Sequence, residues 1–373
     1  MDPIAHTFTG AALAATGLRR ATPLATAALV IGANAPDVDV LANFVGDYAA
    51  LALRRGWTHG VLALALWPFV VTGALLLFDR ARRRRDPQRA RPRAGPLLGV
   101  ATLAVLTHPT LDWLNNYGMR WLMPFDGRWF YGDALFIIDP WLWLALGGVL
   151  WLRPARSRAA AGWWAAFWVL ATALVLLTPE VPAPSRILWL VGLAAFGAAR
   201  ALPAFAPLRE PPRLELAARV VVAVAAVYIV AAVAASAAAR REVRAELAAH
   251  GVGAIESVMV APVPANPFAG TVIAATPDRY WLGEWHWLAR PRFRPSHETI
   301  ERPPVDDVIR AAIDTPEARR FLVWSRFPYY EKEPLDDGGY IVRILDARYR
   351  GTGRLEGPRV HVDAALHARY VPD

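Results

Sequence analysis

Over the first 239 positions, long apolar stretches alternate with short polar segments rich in arginine. Gly60–Phe78 runs for 19 residues without a charge. As a helix it reaches about 28 Å, close to the roughly 30 Å hydrocarbon core of a bilayer. Ala159–Thr178 and Leu216–Ala239 are similar, and Arg219 lies near one end of the latter, where its long side chain can snorkel. Pro96–Trp113, Ile138–Leu152 and Ile187–Phe205 are weaker candidates, which brings the total to about six spans. Thr7–Leu18 and Thr22–Ala33 are each too short to cross and flank Arg19-Arg20. They predict a helical hairpin that dips into the protein, with both arginines at its tip and His6 and Asp37 returned to one side. With no basic run before it and His6 interrupting it, the start does not read as a cleavable signal. After Ala239 the pattern changes to short β-like runs punctuated by Pro and Gly: Ser257–Val263, Gly270–Ala275, Asp278–Leu288, Gly339–Leu345 and Val360–Ala364. Asp306–Trp324 reads as a short helix. The predicted fold is a mainly α polytopic membrane protein, a helical bundle followed by a small β-rich α+β soluble domain. Its boundaries fall at 1–155 for a first membrane domain, 156–239 for additional transmembrane helices and 240–373 for the tail.

Composition agrees. Of 373 residues, 55% are hydrophobic and only 20% charged, which excludes disorder and argues against an ordinary soluble globule. There is no Cys, so disulfides, thiolate metal sites, Cys nucleophiles and iron–sulfur clusters are excluded. Any metal must be held by His, Asp, Glu or backbone. The net charge of +9 arises entirely in residues 1–239, with 22 basic and 13 acidic side chains, because residues 240–373 carry 19 of each. Basic loops between apolar segments read as membrane topology, and no nucleic-acid partner is expected. The loop Asp79–Gly95 holds eight arginines. Setting it in the cytoplasm also puts Arg153, Arg156 and Arg158, then Arg200, Arg209 and Arg213, on that side. Leu114–Ile137 and everything after Ala239 then fall outside.

Ionisable residues at a membrane edge are costly and default to function. His6, Asp37, Asp39, His59, His108 and Asp112 all lie at the predicted outer ends of apolar segments. His108 and Asp112 stand four apart, which places them on one helical face unless Pro109 kinks the segment. Asp37 and Asp39 on a Pro-led turn suit one carboxylate on a metal and one orienting a His. Three His and two or three Asp form an ordinary divalent-metal ligand set. A single membrane-edge His is more often an interfacial hydrogen-bonding group, so their joint placement is what favours a metal; a proton relay is the other functional reading. Arg54-Arg55 suit a phosphate clamp or an interfacial anchor. Asp133 and Asp139 sit in the aromatic outer loop Asn115–Asp139. The five tail histidines lack paired spacing, and Trp281, Trp285 and Trp287 read as core or interface.

Several short motifs recur together: the opening Met1-Asp2-Pro3-Ile4-Ala5-His6-Thr7 with Thr9-Gly10; Asn34-x-Pro36-Asp37-x-Asp39; Arg55-Gly56-Trp57-Thr58-His59; and His108-x-x-x-Asp112-Trp113 with Tyr117-Gly118 and Pro124-Phe125. As a set they resemble the inner-membrane metal-dependent hydrolase family (YdjM-like) over about residues 1–145. That family is distantly similar to the zinc phospholipase C and single-strand nuclease group. The resemblance implies His6, Asp37, His59, His108 and Asp112 as ligands, with Asp39 as a further candidate. At Arg54 the chain departs from the His-Arg-Gly-x-Thr-His of many relatives, which removes a possible further ligand; the trinuclear ligand set of soluble phospholipase C is also not evident, which favours one or two ions over three.

The expected function is a metal-dependent hydrolase at the outer face of the inner membrane. The expected cofactor is a divalent ion, Zn²⁺ by its donor set. Asp39 or Asp112 would serve as orienting group or general base, and Arg55 would meet substrate. Membrane lipids are the expected partners, with a phosphoester, a phospholipid or a lipid-linked molecule as substrate. A proton- or solute-coupled transporter and a non-catalytic membrane scaffold are the alternatives. The tail is expected to be an extracytoplasmic accessory domain.

Overall fold

The computed structural model describes residues 1–155, 157–351 and 355–372; Arg156, one of the arginines in the topological argument, lies outside the described residues. The chain divides into two units. The first comprises Met1–Val38, Arg55–Ser236 and Ala261–Pro267, and the second Asp39–Arg54, Ala237–Val260 and Phe268–Asp373.

Helices α1 (Pro3–Ala15) and α2 (Ala25–Gly32) form the predicted hairpin, with Arg19 and Arg20 in the 3₁₀ turn between them. Asp2 caps α1, its Oδ1 accepting from the backbone N–H of Ile4 and Ala5 at 3.0 Å each. This satisfies two otherwise orphaned donors and sets His6 one turn into the helix. A 3₁₀ segment, Ala35–Val45, leads to α3 (Asp47–Leu53). The apolar run then forms α4 (Val61–Arg83), and the arginine-rich loop returns the chain into α5 (Ala94–Trp113). Pro109 does not break α5, which continues to Trp113. Beyond lie α6 (Pro140–Leu142), α7 (Gly148–Trp151), α8 (Arg158–Leu177), α9 (Ala183–Ala201) and α10 (Pro211–Ala249).

Of these, α4, α5, α8 and α10 are long and apolar enough to cross a membrane. Two expectations change. Ile138–Leu152 does not form a span-length helix, because α6 and α7 bracket a π turn at Trp143–Gly147 and together make only a short apolar helix, Pro140–Trp151. Ile187–Phe205 is not one straight helix either; α9 ends at Ala201, and a bend of 87° leads into the 3₁₀ turn Pro203–Arg209. The cause is Pro203, which forces Leu202 into extended backbone, with ψ at 138°.

Small residues let the first helices pack closely. Ala14, Ala25, Ala28, Ala33, Ala101 and Ala104 share one buried cluster with Leu29, Leu97 and Val71. At Gly32 a Cβ would stand 2.9 Å from the Cβ of Ala104 and 3.2 Å from the carbonyl oxygen of Ala101, so only Gly allows α2 so near α5. The hairpin tip lies at the arginine-rich end. The backbone N–H of Arg93 donates to Thr22 Oγ1 at 2.7 Å, and its guanidinium to the Ala21 carbonyl at 2.6 Å. Arg20 and Arg219 both pair with Glu215, at 2.7 and 2.5 Å. One end of this unit thus gathers the basic side chains, while His59 and His108 lie at the other ends of α4 and α5.

In the second unit, strands β1 (Ser257–Val263), β2 (Asn266–Ala275), β3 (Arg279–His286) and β4 (Phe293–Glu301) form one antiparallel sheet in that order. Its register pairs Gly270 with Trp285 and Val272 with Gly283. Helices α11 (Asp307–Ile313) and α12 (Pro316–Trp324) follow, divided at Thr315–Pro316 where one helix was expected. Strands β5 (Pro328–Pro334), β6 (Tyr340–Asp346), β7 (Arg359–Val362) and β8 (Ala368–Val371) make the second sheet, also antiparallel and in order. Val342 and Ile344 on β6 and Val360 and Val362 on β7 bury one face by strict alternation. Helix α11 packs on these two strands, and α12 packs on α3. Trp285 is core in the first sheet, with Trp281 and Trp287 packed beside it.

Candidate metal centre

Asp37, His59, His108 and Asp112 converge, with one ligand atom from each lying within 4.8 Å of all the others. They come from three places in the chain. Asp37 lies in the first turn of the 3₁₀ segment after α2, its N–H bonded to the Asn34 carbonyl at 3.1 Å. His59 sits in the turn before α4, where Gly56 accepts its N–H at 3.0 Å. His108 and Asp112 project from one face of α5, with Nε2 and Oδ2 3.5 Å apart.

Four further separations lie between 3.0 and 3.9 Å. Nε2 of His59 stands 3.0 Å from Nε2 of His108, 3.3 Å from Asp112 Oδ2 and 3.9 Å from Asp37 Oδ1. Nε2 of His108 stands 3.6 Å from Asp37 Oδ1. Four donors held near 2.1 Å from one ion in a tetrahedron lie about 3.4 Å apart, so the set fits one small divalent cation. The protonation pattern fits as well. Nδ1 of His108 is 2.7 Å from the Ala33 carbonyl, which can only accept, so Nδ1 carries the proton and a neutral ring turns its Nε2 lone pair inward. Nδ1 of His59 has Thr58 Oγ1 at 2.9 Å. Outer partners of this kind orient imidazoles on metals. The close approach at Gly32 is what brings the Ala33 carbonyl to His108. Gly32→Val should therefore weaken metal binding about 10–100-fold, the usual cost of disturbing such a partner. Titration of the purified full chain with Zn²⁺ against a competing chelator checks this, and unchanged affinity would show that the close approach is irrelevant to the centre.

His6 lies against the set but is not among its four members. Its ring stacks on His108 with centroids 3.9 Å apart, and its Nε2 is 3.2 Å from Asp112 Oδ1. The Met1 amino group also pairs with Asp112 Oδ1. Asp39 is not in the set. Its carboxylate faces Arg54 Nε at 3.7 Å, and both residues belong to the second unit. The reason is local: the Pro-led segment winds as a 3₁₀ helix with about three residues per turn, so positions two apart leave it in different directions.

Arg55 is buried behind Asp112 and is not an open clamp. Its Nε is 3.1 Å from Asp112 Oδ2, and Nη1 donates to Asn115 Oδ1 at 3.0 Å and the Gly118 carbonyl at 3.2 Å. Its guanidinium lies 4.6 Å from the centre of the Tyr117 ring. Asn115, which the sequence reading left unassigned, is thus fully buried as part of the support for Asp112. Asp139 caps α6 through the Leu142 N–H at 2.9 Å and accepts from Tyr228 at 2.9 Å, and Asp133 is buried with φ at +51°. Neither is in the four-residue set. In the tail, His286, His361 and His367 face Glu284, Asp337 and Asp363 respectively, at 3.2, 3.8 and 3.2 Å.

The model of the YdjM inner membrane protein family matches residues 1–180. It is the family that the short motifs of residues 1–145 resemble. All four converging residues, with His6 and Arg55, fall inside the matched region. The chain is also similar to the uncharacterized protein YfhP of Bacillus subtilis (strain 168), at 28% identity over 120 residues. That match covers 32% of this chain and 33% of the relative, so it spans about a third of each. No solved structure matches the chain significantly. The YdjM match and the apolar helices support a multi-pass inner membrane protein, and its buried His/Asp cluster is compatible with a metal site.

Proposed function

We propose that the first unit is a metal-dependent hydrolase of phosphoesters, with its centre at the outer face of the inner membrane. The observation that carries this reading is the convergence of two imidazoles and two carboxylates, one ligand atom of each within 4.8 Å of the others, with Nδ1 of His108 held from behind by a carbonyl. A divalent ion there, Zn²⁺ by donor set, would supply a Lewis acid and a bound water whose pKa falls to about 7. The chain's own residues have definable tasks. Ala33 and Thr58 aim the two imidazoles, and Arg55 and Asn115 fix Asp112. Asp37, with 18% of its side chain exposed against none for the other three, is the member a substrate would meet first. Carrier sites usually lie near the midplane, whereas this set sits at the ends of two spans, which favours hydrolysis over transport.

The test is hydrolysis of bis(4-nitrophenyl) phosphate by the detergent-purified full chain, as isolated, after chelation and after Zn²⁺ is restored, beside elemental analysis of His59→Ala. Activity lost with the metal and regained with it supports the reading. A protein that binds no metal, or hydrolysis indifferent to the chelator, defeats it. The outer placement follows from the basic end of the first unit facing the cytoplasm. A reporter within residues 79–95 should accordingly read cytoplasmic and one fused after Ala239 extracytoplasmic; the reverse result would put the centre on the inner face.

A further inference from the structure

The turn that bears His59 is one rigid piece with the loop at residues 119–125. The Arg120 N–H donates to the Arg55 carbonyl at 3.0 Å and the Val61 N–H to the Trp121 carbonyl at 2.8 Å. Gly60 lies so close to Met123 that a Cβ would meet the Met123 Cβ at 2.7 Å. Trp67 Nε1 reaches back to the Thr58 carbonyl at 3.0 Å. The outward surface of this piece is apolar. Trp57 is 60% and Phe125 79% exposed, and Leu122, Val61 and Leu62 are exposed beside them. Val61 and Leu62 begin α4, and along it Leu62, Leu66, Phe69 and Val70 recur at helical spacing and are all exposed. On the other approach, Ile31 and Val38 are exposed on either side of the segment that carries Asp37. A metal centre serving dissolved substrates needs no such border, and a Trp-bearing apolar lip contiguous with a span belongs at a membrane interface.

We infer that this lip is embedded in the adjoining leaflet and that the centre draws its substrate laterally from it: a membrane-resident amphiphile whose phosphodiester headgroup reaches the ion while its chains stay in the bilayer. The inference deepens the hydrolase reading and rests on its metal centre. The absence of Cys makes labelling clean. Full chains carrying Trp57→Cys, Phe125→Cys or, as an aqueous reference, Arg89→Cys are labelled with a nitroxide in vesicles of phosphatidylcholine and phosphatidylglycerol. The first two labels should collide with oxygen more than with a water-soluble nickel chelate, and the third the reverse. In parallel, the Co²⁺-loaded full chain is titrated with phosphatidylglycerol in vesicles and with soluble dibutyl phosphate. The lipid should shift the Co²⁺ spectrum at a concentration at least tenfold lower than the soluble diester, and Trp57→Asp with Phe125→Asp should erase that advantage while leaving the resting spectrum unchanged. Labels at 57 and 125 as open to nickel as the one at 89, or a soluble diester as effective as the lipid, would overturn the inference and leave the metal centre standing. Absence of any Co²⁺ bands would overturn the metal centre, and this inference with it.

Discussion

His108→Ala should abolish stoichiometric metal in the purified protein, while His6→Ala should retain it with affinity lowered about 10–100-fold, as expected for the loss of an outer partner. The two rings are stacked in direct contact, so the contrast does not come from distance. It comes from what each Nε2 faces. That of His108 is open to His59, Asp37 and Asp112 because Ala33 occupies its Nδ1. That of His6 is directed at Asp112 Oδ1, the oxygen not shared with His59 and His108. Elemental analysis and chelator competition on both variants decide it. Equal loss of metal would make His6 a ligand, as the family resemblance implies, and would require its ring to turn from Asp112 toward the ion.

The four converging residues were legible because each is an ionisable group where an apolar segment ends, a placement that chance and solvation rarely produce. The contact between His108 and Asp112 follows from spacing alone, once α5 passes through Pro109 without breaking. What surrounds them was not legible. The Ala33 carbonyl has no side-chain signature, and its part depends on the Gly32–Ala104 approach between segments about 70 residues apart. The burial of Arg55 was not legible because an exposed clamp and a buried strut look alike in sequence; the difference lies in Asn115 and Gly118, which accept from its guanidinium. Asp39 falls outside the four-residue set because Ala35–Val45 winds as a 3₁₀ helix, which a Pro-led turn does not announce.

The same contrast runs through the tail. Strands β1, β2, β3, β6 and β7 were visible as apolar runs or alternation. Strands β4, β5 and β8 were not, and all three lie at sheet edges. An edge strand pairs on one side only and tolerates polar residues and proline, as in Phe293–Glu301 and Pro328–Pro334, so the burial pattern that betrays a central strand is missing. Nor does anything in Asp47–Leu53 announce that this segment, though it lies in sequence between two parts of the first unit, belongs to the second and packs there on α12.

Asp346→Ala should destabilise the second unit by about 3–5 kcal/mol, the usual result of stripping one partner from a buried ion pair. Asp346 and Arg348 are both fully buried, with the Arg348 Nε 2.9 Å from Asp346 Oδ1. The guanidinium lies 4.4 Å from the centre of the Trp324 ring, and Asp346 also accepts from Ser325 Oγ and the Arg326 N–H at 2.7 Å each. Removing the carboxylate would leave a buried cation and several donors without their acceptor. Burial pushes the Asp346 carboxyl up, but the Arg348 guanidinium and these hydrogen bonds outweigh it and hold the group at about 2, against 3.8 when unfolded. A carboxyl held low stabilises the fold at pH above its unfolded value. That contribution, on the order of 2 kcal/mol, should therefore be complete above about pH 4 and fade as the pH falls toward 2. Hydrogen exchange of the amides at residues 325–349 in the full chain follows both effects. Wild-type protection, corrected for intrinsic exchange rates, should fall between pH 4 and 2, and in Asp346→Asn, which keeps the shape without the charge, that step should be absent. A step of equal size in Asp346→Asn would assign the acid sensitivity to another group.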